Sequence, residues 1–576
     1  MFADLPLFRF RTVAALMLAA TTPAAWSQTP PAFHPNAGTL LNIFAPPVEG
    51  PTLPASALPL PADEKPAGDM AQGSVKVSRF VIEGVSLLPP AEVEAQLAEL
   101  VGRDATLNDL RLGAGRITAL YRERGYFLAR AYVPPQEIVG GVVRIAVLEG
   151  RFDRVDAAGS ERLGADVAGR TLAAQGVVAG QPVEQAALER SLILLEQKAG
   201  APASALLQPG ATIGTSHLQV DTPAGPLVGG SLGADNYGNR FTGQGRATAS
   251  LALNSPLGIG DRGNLWLAYS TGATAVFGSY QVPVGYDGLT LGASAAYYRY
   301  DLCCQFAALD RAGDAAVAGI QARYPLVLRQ NAVHYVGLSL ERKRLTDTWT
   351  GGDLDDKRIN VAVLSLDGAA AAAAGQVRYR LALTGGDVQL KGPADFVRAN
   401  AATVDTAGGY GKLWGQGEFL HPVTGWSFLN LRLSGQSASR NLDSSEKFLL
   451  GGFNGVRAYP EGEAAGDNAW LARLDWVFPL TAAAIPGKAS FRVFADSGAV
   501  WIVDDLRGGR ADPGIRNHYS LSGAGLGLNW ALPRSVSLTA YVATAIGDNP
   551  GASASGNNAD GKSNNTRGWV GAEWAF

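Results

Sequence analysis

Two charged residues late in this 576-residue chain stand where charge needs an explanation. Arg457 lies in Gly451-Gly452-Phe453-Asn454-Gly455-Val456-Arg457-Ala458-Tyr459, and Asp496 in Phe491-Arg492-Val493-Phe494-Ala495-Asp496-Ser497-Gly498. Strand alternation puts Asp496 on one face with Arg492, opposite Phe491, Val493 and Ala495. A charge on a face otherwise turned to lipid is costly, whereas one turned to a wet lumen can find a partner. The plainer reading, that both residues simply line a pore, is equally compatible with the spacing.

Other chemistry-bearing groups form no catalytic set. The five histidines (His34, His217, His334, His421, His518) show no HExxH and no His/Cys cluster, so no zinc site is expected. Cys303 and Cys304 are adjacent; a metal would need more ligands, which leaves a vicinal disulfide or two thiols. Gly556 to Ser563 (GNNADGKS) fits GxxxxGK[ST], but phosphate binding there needs a buried strand before it and a helix after it. An Asn/Gly/Ser-rich loop precedes it and only a final strand follows. Gly258, Gly260 and Gly263 match GxGxxG within a hairpin turn, where glycine serves the backbone alone. No GxSxG elbow is present. The expectation is a protein that is not an enzyme, with no cofactor and no metal.

The elements carrying Arg457 and Asp496 belong to a long β region, 226–576. Trp470, Ala472, Leu474, Trp476 and Phe478 point one way, and Arg473 and Asp475 the other. Leu429, Leu431 and Leu433 oppose Asn430, Arg432 and Ser434, and Val377, Tyr379, Leu381 and Leu383 oppose Arg378 and Arg380. A soluble sandwich would put its charges on the outer face and carry more of them. An aromatic-rich apolar face opposite a polar one predicts a transmembrane β-barrel of about sixteen antiparallel strands with a wet interior. Short turns (near 257–262, 286–288, 329–331 and 533–535) alternate with long loops (near 301–314, 391–410, 440–468, 504–519 and 549–565). That asymmetry belongs to periplasmic turns and external loops. The last strand carries Val570, Ala572, Trp574 and Phe576 on the lipid parity and ends on an aromatic C-terminus.

Upstream the pattern is mixed α and β. From 74 to 151, a strand over Val75–Val85, a helix over Pro89–Val101 and a second helix opening at Thr106 precede two strands, Ala129–Val133 and Val142–Leu148. Asp109 sits where a capping-box acid belongs, and Gly125 stops the second helix. The order repeats from 152 to 225, predicting two small tandem domains. Residues 28–73 are proline-rich and read as an extended tether, with one short apolar stretch, Leu40 to Phe44. Residues 1–27, with Arg9 and Arg11 before an apolar run and Ala25-Trp26-Ser27 at its end, read as a signal peptide.

Composition agrees. Apolar residues make up 47 % and charged ones only 17 %, yet no stretch is long and apolar enough for a spanning helix. A net charge of −3 gives no reason to expect a nucleic-acid partner.

On these residues the chain resembles the outer-membrane transporters of two-partner secretion. Tyr121-Arg122-Glu123-Arg124-Gly125-Tyr126, Ala129 through Pro134-Pro135-Gln136, and Glu149-Gly150-Arg151 are similar to that family's first POTRA domain. Asp235 to Gly243 resembles its first barrel hairpin, and Asn254 to Asp261 the turn that follows. The resemblance implies two POTRA domains, a sixteen-stranded barrel and a loop folded back into the lumen. The family's VRGY-type motif maps onto Val456, Arg457, Ala458 and Tyr459, with Ala458 in place of the usual glycine. Its arginine is implied to pair with the aspartate of the FxDxG motif, here Phe494, Asp496 and Gly498. Leu40 to Phe44 is the only match for the family's plug helix. The implied function is export of a large exoprotein, adhesin- or haemolysin-like, captured by the POTRA domains and passed to the cell surface without nucleotide hydrolysis. Outer-membrane lipid and the barrel-assembly machinery are the other implied partners. An assembly factor or a diffusion porin is the alternative; insertases usually carry more POTRA domains and porins none.

Overall fold

The alternation from Val228 onward closes on itself. A computed structural model describes residues 35–47, 50–55, 73–350, 352–480, 485–506, 516–553 and 555–576. The expected signal peptide and most of the proline-rich tether lie outside them. Sixteen antiparallel strands, from Val228–Asp235 to Thr566–Ala575, form one closed barrel. The seam joins last strand to first, Gly571 opposite Asp235 through Ala575 opposite Ser231. Phe576 N donates to Gly230 O at 2.9 Å, and Gly230 N returns the bond at 3.1 Å. Closure matters because an open edge has no water to satisfy it within hydrocarbon.

Side-chain parity follows the sequence pattern. Trp470, Leu474 and Trp476 are exposed, whereas Arg473 and Asp475 on the opposite face are buried. Leu433, Leu381 and Leu383 likewise face outward. The long connections hold short elements that strand periodicity did not announce, including the helix Ala394–Ala402 that opens on Pro393. The adjacent cysteines are joined as a disulfide in one such loop.

The first α+β unit has a sheet ordered Arg79–Glu83, Val142–Leu148, Arg130–Tyr132, with the helix Leu107–Glu123 across it. Thr106 and Asp109 form the capping box in both directions. The single strand expected over Val75–Val85 is broken in two, Ser74–Lys76 and Arg79–Glu83. The chain changes partners there: Val77 N donates to Arg103 O at 3.0 Å and Ser78 N to Gly141 O at 2.7 Å. A second unit repeats the plan with Arg151–Ala158, helices Ala165–Ala174 and Gln185–Ala199, and strands Ser204–Pro209 and Thr215–Asp221.

The helix Gln185–Ala199 seats this unit on the short-turn end of the barrel. Ile193 and Leu194 pack with Leu328, Val333 and Tyr335, and Gln197 Nε2 donates to Tyr335 OH at 2.6 Å. The soluble units therefore mark the periplasmic end.

Candidate functional site

One long connection, between the strands Ser427–Ala438 and Asn468–Leu480, turns inward. Its arms pair briefly, Phe448 with Gly466 and Leu449 with Ala465, so the segment between them forms a tip. Val456 N donates to Leu450 O at 2.7 Å, and Tyr459 N to Val456 O at 3.1 Å. A β-carbon on Gly455 would collide with Leu450 O, so the tip closes only over glycine.

This fold delivers Arg457 to the barrel wall. Its guanidinium is 1 % exposed. Nε donates to Asp496 Oδ2 at 2.8 Å, Nη2 to Asp496 Oδ1 at 2.6 Å, and Nη1 to Asp475 Oδ1 at 2.8 Å. The backbone N of Arg457 adds a bond to Asp496 Oδ2 at 3.0 Å. The Phe494 ring lies beneath the guanidinium, 3.5 Å from its central carbon. A planar fork on a bidentate carboxylate, stacked on an aromatic face, is an arrangement arginine makes and lysine does not.

The structure thus brings Arg457, Asp496 and Phe494 together. Gly498 stands beside Leu450, where a side chain would collide. Val456, Ala458 and Tyr459 are buried in the same cluster. Sequence spacing gave no sign of three further members. Asp475 takes the third guanidinium nitrogen, Trp569 Nε1 donates to Arg457 O at 2.7 Å, and Arg473 Nη1 donates to Asn454 O at 3.0 Å. The inward parity of Asp475 and Arg473 was the only available signal.

Ala458 finds its room in Gly523, the residue opposite Asp496 in register. A β-carbon on Gly523 would lie 2.6 Å from that of Ala458. Gly523→Ala is therefore expected to lift the tip and lower secretion, and Ala458→Gly in the same chain to restore it. Secretion assays on the single and double variants measure this; no rescue would mean the contact is immaterial.

The outer face of the loop is also held. Glu463 accepts from Asn549 Nδ2 at 2.9 Å and from Ala559 N at 2.7 Å. The phosphate-loop look-alike Gly556–Ser563 thus lies against a carboxylate of the chain itself, and the strand Thr566–Ala575 follows it.

Deeper in the same connection, Ser444–Glu446 supports a helix, Ala37–Ile43. Asn36 caps it by accepting from Thr39 N at 2.9 Å, and Ala37 N donates to Asp347 Oδ1 at 2.8 Å. Leu40, Ile43 and Phe44 pack with Tyr298, Tyr300, Leu345 and Ile359, all on inward-facing positions of their strands. The helix therefore sits in the lumen, where the sequence offered only a short apolar stretch.

The POTRA-like motif residues pin the first unit together. Tyr121 is buried against Tyr126, ring centroids 6.2 Å apart, and its OH donates to Glu149 Oε1 at 2.9 Å. Gly125 ends the helix at φ +91°. Gln136 bonds both backbone groups of Arg144, at 2.7 and 2.8 Å, which fixes the Pro134-Pro135 segment beside the sheet. Burial pushes the Glu149 carboxyl up, but hydrogen bonds from Ser86, Leu87 and Tyr121 outweigh it and hold the pKa below its ordinary 4.5. A carboxylate so depressed stabilises the fold above its unfolded pKa, and that stability is lost as pH falls through the folded value. Glu149→Gln is expected to flatten the acid-side fall in melting temperature of the full chain. An unchanged acid slope would show the titration lies elsewhere.

At the C-terminus, Trp574 and Phe576 are exposed on the lipid face.

Known proteins align with these features. The family model for haemolysin secretion/activation proteins of ShlB/FhaC/HecB type matches residues 214–530, and that for ShlB-type POTRA domains matches 75–150. The heme/hemopexin transporter protein HuxB of Haemophilus influenzae is 25 % identical over 484 residues, covering 82 % of this chain and 84 % of HuxB. The outer membrane transporter CdiB of Escherichia coli is 31 % identical over 187 residues, 32 % of this chain and 31 % of that one. The solved structure of CdiB from Escherichia coli superposes with a TM-score of 0.73 at 20 % identity, covering 91 % of this chain and 94 % of that one. With a closed barrel, a POTRA domain before it and a family match over more than half its length, the chain belongs to the haemolysin secretion/activation family of outer-membrane secretion transporters.

Proposed function

We propose that the chain is a translocation pore exporting one large exoprotein partner from periplasm to cell surface, with no nucleotide hydrolysis. The observation that carries this reading is a loop buried inside a closed barrel by one arginine fork, with soluble α+β units at the entrance. The second of those units, 152–225, is read as a second POTRA domain. An unfolded exoprotein adds as a strand to a free sheet edge; Arg79–Glu83, Arg130–Tyr132, Arg151–Ala158 and Ser204–Pro209 are edge strands of the two small sheets. The Arg457–Asp496 loop acts as the gate, and the luminal helix as a plug. Folding outside removes the return path and gives direction. The relatives' names, heme/hemopexin and hemolysin transporters, suit a cargo of haemolysin or haem-related type, and the sequence resemblance leaves an adhesin as the other candidate. The aromatic end of the last strand serves recognition by the barrel-assembly machinery, and the outward apolar face meets lipid.

Full-length chain reconstituted in nucleotide-free liposomes is expected to carry its exoprotein across the bilayer, scored as protease protection. A strict requirement for added nucleotide would overturn the mechanism.

A further inference from the structure

The outer wall of the barrel carries a cluster of arginines that the transport reading does not use. Along the strand Ala332–Trp349 the outward residues run Val336, Leu338, Leu340 and then switch to Arg342 and Arg344. On the neighbouring strand Gly352–Ala372 they run Leu366, Leu364, Ala362 and then Asn360 and Arg358. Their neighbours Lys343, Leu345, Lys357 and Ile359 are buried on the lumen side, which fixes the arginines as outward. The strand Ala332–Trp349 rises from a periplasmic turn and Gly352–Ala372 runs back down to the next one, so the switch marks the outer edge of the apolar band.

Arg344 and Arg358 are direct register partners. Like charges so opposed repel and destabilise a ladder unless something neutralises them. The chain supplies little. Arg344 lies 3.6 Å from Asp356, and Asp387 on the next strand accepts from Gln389 Nε2 at 3.0 Å. Asp314, the register partner of Arg299, also lies within electrostatic reach of Arg344, which leaves Arg358 as the uncompensated member of the pair. Among the described residues, Arg342 and Arg358 have no hydrogen bond or ion pair. Directly below them runs a shallow groove of about 900 Å³, floored by Ala318, Ala362 and Gly385 and ridged by Ile320 and Leu340.

Cations above an apolar groove, at the level where hydrocarbon meets headgroups, match one kind of molecule. We propose that Arg342 and Arg358, with Arg344, bind the phosphate of an acylated, phosphorylated glycolipid of the outer leaflet, one of whose chains lies in the groove below. Arginine forks suit phosphate oxygens, and the small side chains of the floor leave width for an acyl chain. The bound phosphate supplies the counter-charge that Arg358 lacks beside Arg344.

The test is native mass spectrometry of the full-length chain in detergent, titrated with hexa-acylated, bisphosphorylated lipid A. Binding is expected to weaken by about tenfold or more in Arg342→Ser/Arg358→Ser, the loss anticipated for two charge-assisted bonds. Folding of that variant is checked by heat-modifiable gel mobility. Lipid A stripped of phosphate is expected to bind the unaltered chain just as weakly, an arm that needs no variant. Arg358→Lys, which keeps the charge, is expected to retain most of the affinity. Equal binding of dephosphorylated lipid A, or undiminished binding by the double variant, would overturn the proposal. So would full competition by inorganic phosphate alone, because that makes the site an anion site without a lipid.

Discussion

Replacing Arg457 with alanine is expected to stop exoprotein release while the barrel still assembles. The guanidinium makes three side-chain hydrogen bonds to two carboxylates, at 2.6 to 2.8 Å, in a place closed to water. Its removal leaves Asp496 and Asp475 buried, with Arg473 3.7 Å from the first and Arg492 3.9 Å from the second as poorer partners. Breaking one side of a buried pair costs about 3–5 kcal/mol. At about 1.4 kcal/mol per decade, that shifts the docked-to-undocked balance of the loop by roughly two to three and a half powers of ten. The barrel should tolerate this, because its strand ladders do not run through Arg457. Arg457→Lys is expected to restore little, since one ammonium cannot serve two oxygens of Asp496 and one of Asp475 from the face of Phe494. Exoprotein in the culture medium and heat-shifted barrel in the membrane are the two readouts. Normal release by the alanine variant would remove the fork from the mechanism.

Different parts of this molecule were unequally legible in the sequence. The barrel was readable because two solvents on opposite faces force a period of two on every strand, and lipid removes the need for charge outside. The helix Leu107–Glu123 was readable from its start, because Thr106 and Asp109 satisfy orphan amides locally. The surroundings of Arg457 were not. Trp569 reaches Arg457, and Gly523 its neighbour Ala458, from strands far along the chain, and only closure of the barrel brings them together. The resemblance implied the Asp496 partner; nothing in the spacing implied Asp475 as the second. The luminal helix failed for another reason. Seven residues are too few to show a helical period, and a helix that short is held by what it packs against rather than by its own propensity. Ala394–Ala402 failed differently: it buries none of its residues, so no apolar stripe marks it, and Pro393 at its N-cap was the one available sign.

That dependence on its seat makes the luminal helix easy to dislodge, and Gly38→Val is expected to open the pore. A β-carbon at this position would stand 2.6 Å from Ser445 N, and the Ser444 hydroxyl of the same segment is closer still. Of the two surfaces in contact, the helix is the one that must yield. Its supporting segment is clamped from behind: Glu446 binds Lys343 at 2.7 Å and Lys412 at 2.8 Å, and Asp443 binds Lys357 at 3.1 Å. Two buried lysines, Lys343 and Lys357, and the half-buried Lys412 resist displacement, because moving the segment strands their charges. The helix has no ion pair of that kind; besides the packing of Leu40, Ile43 and Phe44 it has one short bond, to Asp347, and two long ones, Asn42 Nδ2 to Ser444 O and Arg246 Nη1 to Ile43 O, both at 3.4 Å. Once undocked, it is too short to stay folded alone. The expected result is a larger and steadier conductance in planar bilayers and greater sensitivity of cells to bulky antibiotics, with the barrel fully assembled. Deleting residues 37–44 should reproduce the phenotype, and unchanged conductance in both variants would show that the helix does not obstruct the pore. The helix also rests on the connection whose tip carries Arg457, so the two obstructions share one support. Glu446→Ala, which loosens that support, should therefore release both together: conductance should rise as with Gly38→Val, and secretion should fall as with Arg457→Ala.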